Sequence, residues 1–143
     1  VCDPRENYRH SWMEDDVEVH REMPDDFITA QHCDAQTAVL ALTHDPKLDD
    51  LAIMDALNSP AFYVGALGSS RTNAARRGRL SEHFGLTKKQ LEFMSGPIGL
   101  DLNTRTASEI ALAIMTEITA RRNGVLLTSE RQTMRNDDRT ASV

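Results

Sequence analysis

The chain has 143 residues but only two cysteines, Cys2 and Cys33, far apart and in no C-x-x-C spacing, which argues against a disulfide framework or a cysteine zinc site. Buried or incidental thiols are the reading that remains. No stretch approaches the run of about 18–20 apolar residues that a membrane-spanning helix needs, and the first residues lack the basic and apolar regions of a signal peptide. A cytoplasmic protein without a membrane partner is expected. Positive charge is also short: the net charge of −6 argues against a general nucleic-acid surface. Neither a P-loop nor a complete dinucleotide fingerprint occurs, and no nucleophile–base pair demands catalysis. An initiator methionine is missing too. Val1-Cys2-Asp3 reads as the last part of a strand entering an X-Pro turn at Pro4, so the chain is expected to be a fragment.

What is present is ordinary for a globular domain, with 40% hydrophobic and 27% charged residues. Residues 14–26 carry Glu14, Asp15, Asp16, Glu18, Glu22, Asp25 and Asp26 against Arg21, a pattern best read as a solvated acidic face. Arg71, Arg76, Arg77 and Arg79 cluster later, where an anionic small molecule could use them.

The elements alternate along the chain. A short strand is expected at Val17–Val19 and about one helical turn at Pro24–Ala30. Thr37–Leu42 is a near-continuous apolar run, the signature of a strand buried on both faces of a parallel sheet. Asp45 then caps a helix to about Leu57, with Pro46 at its first position and Asp49 and Asp50 near the positive end of its dipole. Ala61–Ala66 is a second buried strand, Ser69 or Ser70 caps a helix to about Phe84, and Thr87–Met94 forms a shorter one. Thr106 and Glu109 make a capping box for the last helix, whose expected apolar stripe is Ile110, Ala111, Ile114, Met115 and Ile118, ending at Arg121-Arg122-Asn123-Gly124. Residues 1–127 therefore read as one α/β domain and residues 128–143 as a polar, mobile tail.

Strand–helix alternation with continuous apolar strands implies a Rossmann-like parallel sheet with flanking helices, here lacking its first strand. Such sheets bind ligands at the carboxyl ends of their strands. Three stretches fall at that edge: Asp3-Pro4-Arg5, Thr43-His44-Asp45 and Gly65-Ala66-Leu67-Gly68-Ser69-Ser70-Arg71. Asp3 is either a ribose-binding acid or a turn residue. His44 is open between a proton shuttle and a ligand contact, and capping explains Asp45 better than binding does. Gly65 and Gly68 let the backbone approach a ligand, and the amides of Ser69, Ser70 and Arg71 lie where a helix N-terminus favours an anion. Arg71 supports that reading, because a cation in the first turn opposes the helix dipole by about 0.3–1 kcal/mol unless it faces an anion or a carboxylate. Gly96-Pro97-Ile98-Gly99-Leu100 is a second glycine turn, either a further loop at this edge or a plain connector.

In this order and spacing, D-P-R, L-T-H-D-P-K-L-D-D, F-Y-V-G-A-L-G-S-S-R-T, G-P-I-G-L and S-E-I-A-L-A-I-M-T-E-I resemble the C-terminal Rossmann domain of the XdhC/CoxI family, from Cys2 to about Gly124. Those proteins are accessory factors for xanthine dehydrogenase, carbon monoxide dehydrogenase and related molybdenum hydroxylases. The resemblance implies a non-catalytic chaperone that binds the molybdenum cofactor, protects it during sulfuration and hands it to the apo-enzyme. Its implied partners are a xanthine dehydrogenase-type hydroxylase and a sulfurating desulfurase, with a second copy of the chain as a further candidate. The implied cofactor contacts are Asp3, Arg5, Thr43, His44, Asp45, Gly65, Gly68, Ser69, Ser70 and Arg71, and the anion held at Gly65 to Arg71 would be a pterin or nucleotide phosphate. Two features depart from the family pattern: Asn103 stands where glycine is usual, and Ala107 where proline is usual. NAD(P) or another nucleotide is the alternative ligand, as in an oxidoreductase, although neither Tyr8 nor Tyr63 has a lysine nearby in sequence. A regulatory domain without ligand binding is the third reading.

Overall fold

The computed structural model describes residues 1–13, 15–125 and 127. The described residues form two compact units, divided between Ile98 and Gly99.

The first unit begins with α1 (Glu6–His10) and α2 (Pro24–Gln31). The first is absent from the sequence reading; the second runs two turns rather than one and closes at His32 in the left-handed region, φ 49°. Parallel strands β1 (Ala38–Ala41) and β2 (Tyr63–Ala66) pair in register, Ala38 opposite Tyr63 and Ala41 opposite Ala66. The crossover between them is α3 (Pro46–Leu57), as parallel pairing requires, because the chain must return to the same end of the sheet. The Asp45 carboxylate accepts the Lys47 amide at 2.9 Å and Pro46 takes the first turn, so the helix starts where its sequence predicts.

Beyond β2 come α4 (Ser70–Phe84), capped by Ser69 Oγ accepting the Thr72 amide at 3.1 Å, and α5 (Lys88–Phe93), opened by a Thr87–Gln90 capping box. Gly65 then forms one further parallel bridge, to Ser95, with Ala66 N donating to Ser95 O at 2.9 Å. Near the start of the chain Cys2 bridges His20, also in parallel. The strand expected at Val17–Val19 does not form, because Val17 is exposed and has no face to bury; the bridge falls one residue beyond it, at His20. The core gathers Ile53 and Ala56 of α3, Val64 and Ala66 of β2, Leu80 of α4, and Leu91 and Met94 around α5. β2 is wholly buried, whereas most of β1 is half-buried and Leu42 just after it is 43% exposed. Two-faced burial therefore holds for the second strand only.

In the second unit α6 (Ala107–Arg122) starts at Thr106, whose capping box with Glu109 is complete. Glu109 Oε2 also accepts the Arg105 amide at 2.8 Å. Asn103 has φ 52°, the left-handed conformation that asparagine tolerates in place of glycine. Gly99 lies against α6, where an added Cβ would sit 3.0 Å from the Ile114 nitrogen, and its amide donates to the Glu117 carboxylate. Ala113, Ile114, Ile118 and Ala120 are buried, while Ala111 and Met115, expected on the same stripe, are exposed. A helix with apolar residues around much of its circumference does not announce which side will be covered. The expected tail at 128–143 lies outside the described residues.

Candidate functional site

β1 and β2 run in the same direction, so the residues after Ala41 and Ala66 emerge at one edge of the first unit. Hydrogen bonds join the first two predicted stretches directly, and Arg76 and Asp49 link the second to the third. Asp3 accepts from the Arg5 amide at 2.9 Å and from its guanidinium at Nε (3.0 Å) and Nη2 (2.9 Å). Arg5 Nη1 and Nη2 also reach the Thr43 carbonyl at 3.5 Å, and the guanidinium stacks 4.0 Å over the Tyr8 ring. Arg9 Nη1 donates to the carbonyls of Asp3 and Pro4, fixing the turn from behind.

These bonds hold the Asp3 carboxyl below the ordinary aspartate range, the Arg5 side-chain hydrogen bond being the chief cause. A carboxylate with a lowered folded-state pKa stabilises the fold above its unfolded value of about 3.9, and that contribution disappears as pH falls through the folded value. Asp3→Asn is therefore expected to flatten the acid limb of the stability curve between about pH 5 and pH 2. Urea midpoints across that range measure it; parallel curves for the two proteins would refute the ion pair.

Thr43 is committed inside the protein. Its hydroxyl donates to Asp49 Oδ1 at 2.7 Å and accepts the Asp45 amide at 3.1 Å, and its own amide donates to the same Asp49 oxygen at 3.1 Å. His44 adopts a left-handed conformation, φ 62°, and is exposed without a hydrogen-bond partner among the described residues. Asp45 acts as the helix cap. Gly65 lies within β2, where its lack of a side chain serves packing: a Cβ would approach Ile98 Cδ1 to 2.6 Å and Tyr63 Cε1 to 2.8 Å.

The glycine turn itself begins at Gly68, φ 126°, a conformation that side chains rarely adopt. The amides of Gly68, Ser69, Ser70 and Arg71 donate to no described residue, and α4 has no acid in its first turn. Arg71 is exposed and forms no ion pair among the described residues, so its charge stands unbalanced at the positive end of a helix. Four free donors and a cation fit a phosphate.

The remaining arginines of the expected anion-binding cluster do other work. Arg76, 3% exposed, donates to Asp50 Oδ1 (3.2 Å), Asp49 Oδ2 (3.3 Å), Asn73 Oδ1 (2.8 Å) and the Leu67 carbonyl (3.1 Å). Arg79 forks onto Asp50 at 2.8 and 3.2 Å. Arg77 donates to the carbonyls of Leu91, Met94 and Gly96. Asp49 and Asp50, read from sequence as negative charge near the positive end of the α3 dipole, are also buried against the guanidinium groups of Arg76 and Arg79. The signal lay in spacing: Asn73, Arg76 and Leu80 share one face of α4, and that face is buried.

The XdhC Rossmann domain model matches residues 1–118. This chain belongs to that family. Among curated relatives is the molybdenum cofactor insertion chaperone PaoD of Escherichia coli strain K12, 33% identical over 85 residues, which are 59% of this chain and 26% of that protein. A solved structure described as a xanthine dehydrogenase from Bacillus halodurans superposes with a TM-score of 0.68 at 25% identity, covering 90% of this chain and 36% of the other. The chain thus spans about a quarter to a third of the proteins it matches, and the fold is the family's Rossmann-like α/β domain. Among the described residues no cluster of three His, Cys, Asp or Glu is placed to hold a metal ion, and no helix is long and apolar enough to cross a membrane.

Proposed function

We propose that this family member is part of an accessory factor for molybdenum enzymes, binding the molybdenum cofactor at the strand-end edge and delivering it to an apo-hydroxylase of the xanthine dehydrogenase type. The observation that carries the reading is the glycine turn, where four consecutive amides, Gly68 to Arg71, and the Arg71 side chain have no partner among the described residues. A relative named as a molybdenum cofactor insertion chaperone supports the choice of ligand. The cofactor's terminal phosphate would be held by those amides and Arg71, and the bound group would bring the molybdenum centre that the hydroxylase uses. Asp3, Arg5, Thr43 and Asp45 shape the rim in this reading, and His44 is the exposed side chain able to meet the pterin.

The test is anaerobic equilibrium binding of isolated molybdenum cofactor to this chain extended to the length of its relatives, with Arg71→Ala beside it. Micromolar or tighter binding is expected, weakened by about 1–3 kcal/mol in the variant, which is roughly 5- to 150-fold. Binding of NAD(P) or another nucleotide in its place would move the domain to the oxidoreductase reading, and no binding at all to the regulatory one. Support of sulfuration and self-association are finer parts of the same proposal. Co-elution of a desulfurase with the loaded protein, and the mass at which the complex elutes, measure them.

A further inference from the structure

We infer that Asn73 and Arg76 are positioning residues for the glycine turn, holding its carbonyls inward from beneath so that its amides stay aimed at a phosphate. The inference rests on the reading of that turn as the phosphate site, and adds to it the buried side chains that set its geometry.

Arg76 Nη1 donates to Leu67 O at 3.1 Å, and Asn73 Nδ2 donates to Gly68 O at 3.1 Å and Ser69 O at 3.2 Å. Three consecutive carbonyls are thereby directed at side chains that are 3% and 0% exposed. In a trans peptide the carbonyl and the next amide point in opposite directions. Fixing the carbonyls of Leu67, Gly68 and Ser69 to the interior therefore sets the amides of Gly68, Ser69 and Ser70 facing away from it. These are three of the four amides that have no described partner.

The two positioning side chains are themselves held. Asn73 Oδ1 accepts Arg76 Nη1 at 2.8 Å, which also fixes which end of the amide faces the turn. Gly96 packs so closely that an added Cβ would lie 2.8 Å from Asn73 Cγ. Arg76 continues to Asp49 at 3.3 Å, and Asp49 to the Thr43 amide and hydroxyl. One line of hydrogen bonds thus runs from the end of β1 to the turn after β2, and the two loops are built as a unit. Apolar residues on this buried face of α4 would carry no desolvation cost. A polar network retained there, with its members mutually satisfied, specifies geometry.

The experiment uses the full chain with inorganic pyrophosphate as probe, read by calorimetric affinity and by backbone nitrogen-15 order parameters of Gly68, Ser69 and Ser70. Asn73→Ala removes the donor directly; Gly96→Ala displaces Asn73 without touching the turn. Ile53→Val, in the core and outside the network, is the control for lost stability. Both network variants are expected to weaken pyrophosphate binding at least tenfold and to drop the three order parameters from about 0.85 toward 0.6. The control is expected to change neither. Wild-type affinity within twofold, or unchanged order parameters, in Asn73→Ala and Gly96→Ala would overturn the positioning role. Should the wild type itself bind no pyrophosphate, the phosphate reading is what fails, and the order parameters alone then decide whether the network shapes the turn.

Discussion

Arg76→Met is expected to lower folding stability by about 3–5 kcal/mol, read as a shift of the urea midpoint at unchanged slope. The guanidinium is 3% exposed and compensates Asp49, which is 1% exposed, together with one oxygen of Asp50. Methionine keeps much of the volume but leaves the Asp49 charge buried beside an apolar chain. The Thr43 hydroxyl still donates to it, and Arg79 still holds Asp50, so the loss centres on Asp49. Adding Asp49→Asn to Arg76→Met is expected to recover a large part of the loss, because the cost lies in an unpaired charge rather than in a missing attraction. A single variant within 1 kcal/mol of wild type would mean that the charge pair is not buried as the structure places it.

Ile53→Ala is the second large effect, at about 2–5 kcal/mol. Ile53 is fully buried on the inner face of α3, in the same cluster as Val64 of β2 and Leu80 of α4. Deleting its outer carbons loses their transfer free energy and leaves a cavity whose walls are a strand and two helices, elements that relax poorly. Ile53→Val is expected to cost only about 0.5–1.5 kcal/mol. A thermal-unfolding series over the two variants measures the difference; equal midpoints would show that this side of α3 is not the packing centre.

Both predictions come from side chains that carry little signal in sequence. The α3 start was legible because an N-cap acid, a helix-opening proline and an apolar run agree locally at Asp45, Pro46 and Leu48. The Thr106–Glu109 capping box is equally local, and so is the left-handed tolerance of Asn103. The Val17–Val19 strand failed because three alternating residues state a preference without naming the partner that would satisfy it. The stripe on α6 failed in part for a related reason: Met115 is as apolar as Ile114, and only packing decides which of the two is covered.

The candidate site divides in the same way. Gly68, Ser69 and Arg71 could be read directly, since a left-handed turn, a cap and a misplaced cation are properties of a few adjacent residues. The fates of Arg76, Arg77 and Arg79 could not. A row of arginines after a glycine turn has one appearance in sequence and three destinations in space: aspartates on another helix, the carbonyls around α5, and solvent. Sequence alone determined where the capped helices α3 to α6 start, which strands are apolar enough to pair in parallel, and the family to which the motifs point. Tertiary structure alone decided that Asp49 and Asp50 neutralise Arg76 and Arg79, that Asn73 pins the turn, and that Arg71 has no ion pair among the described residues. The physical reason is range: capping and turn chemistry act within a few bonds, whereas a buried charge finds its partner 26 or 27 residues away only after the helices carrying both have packed.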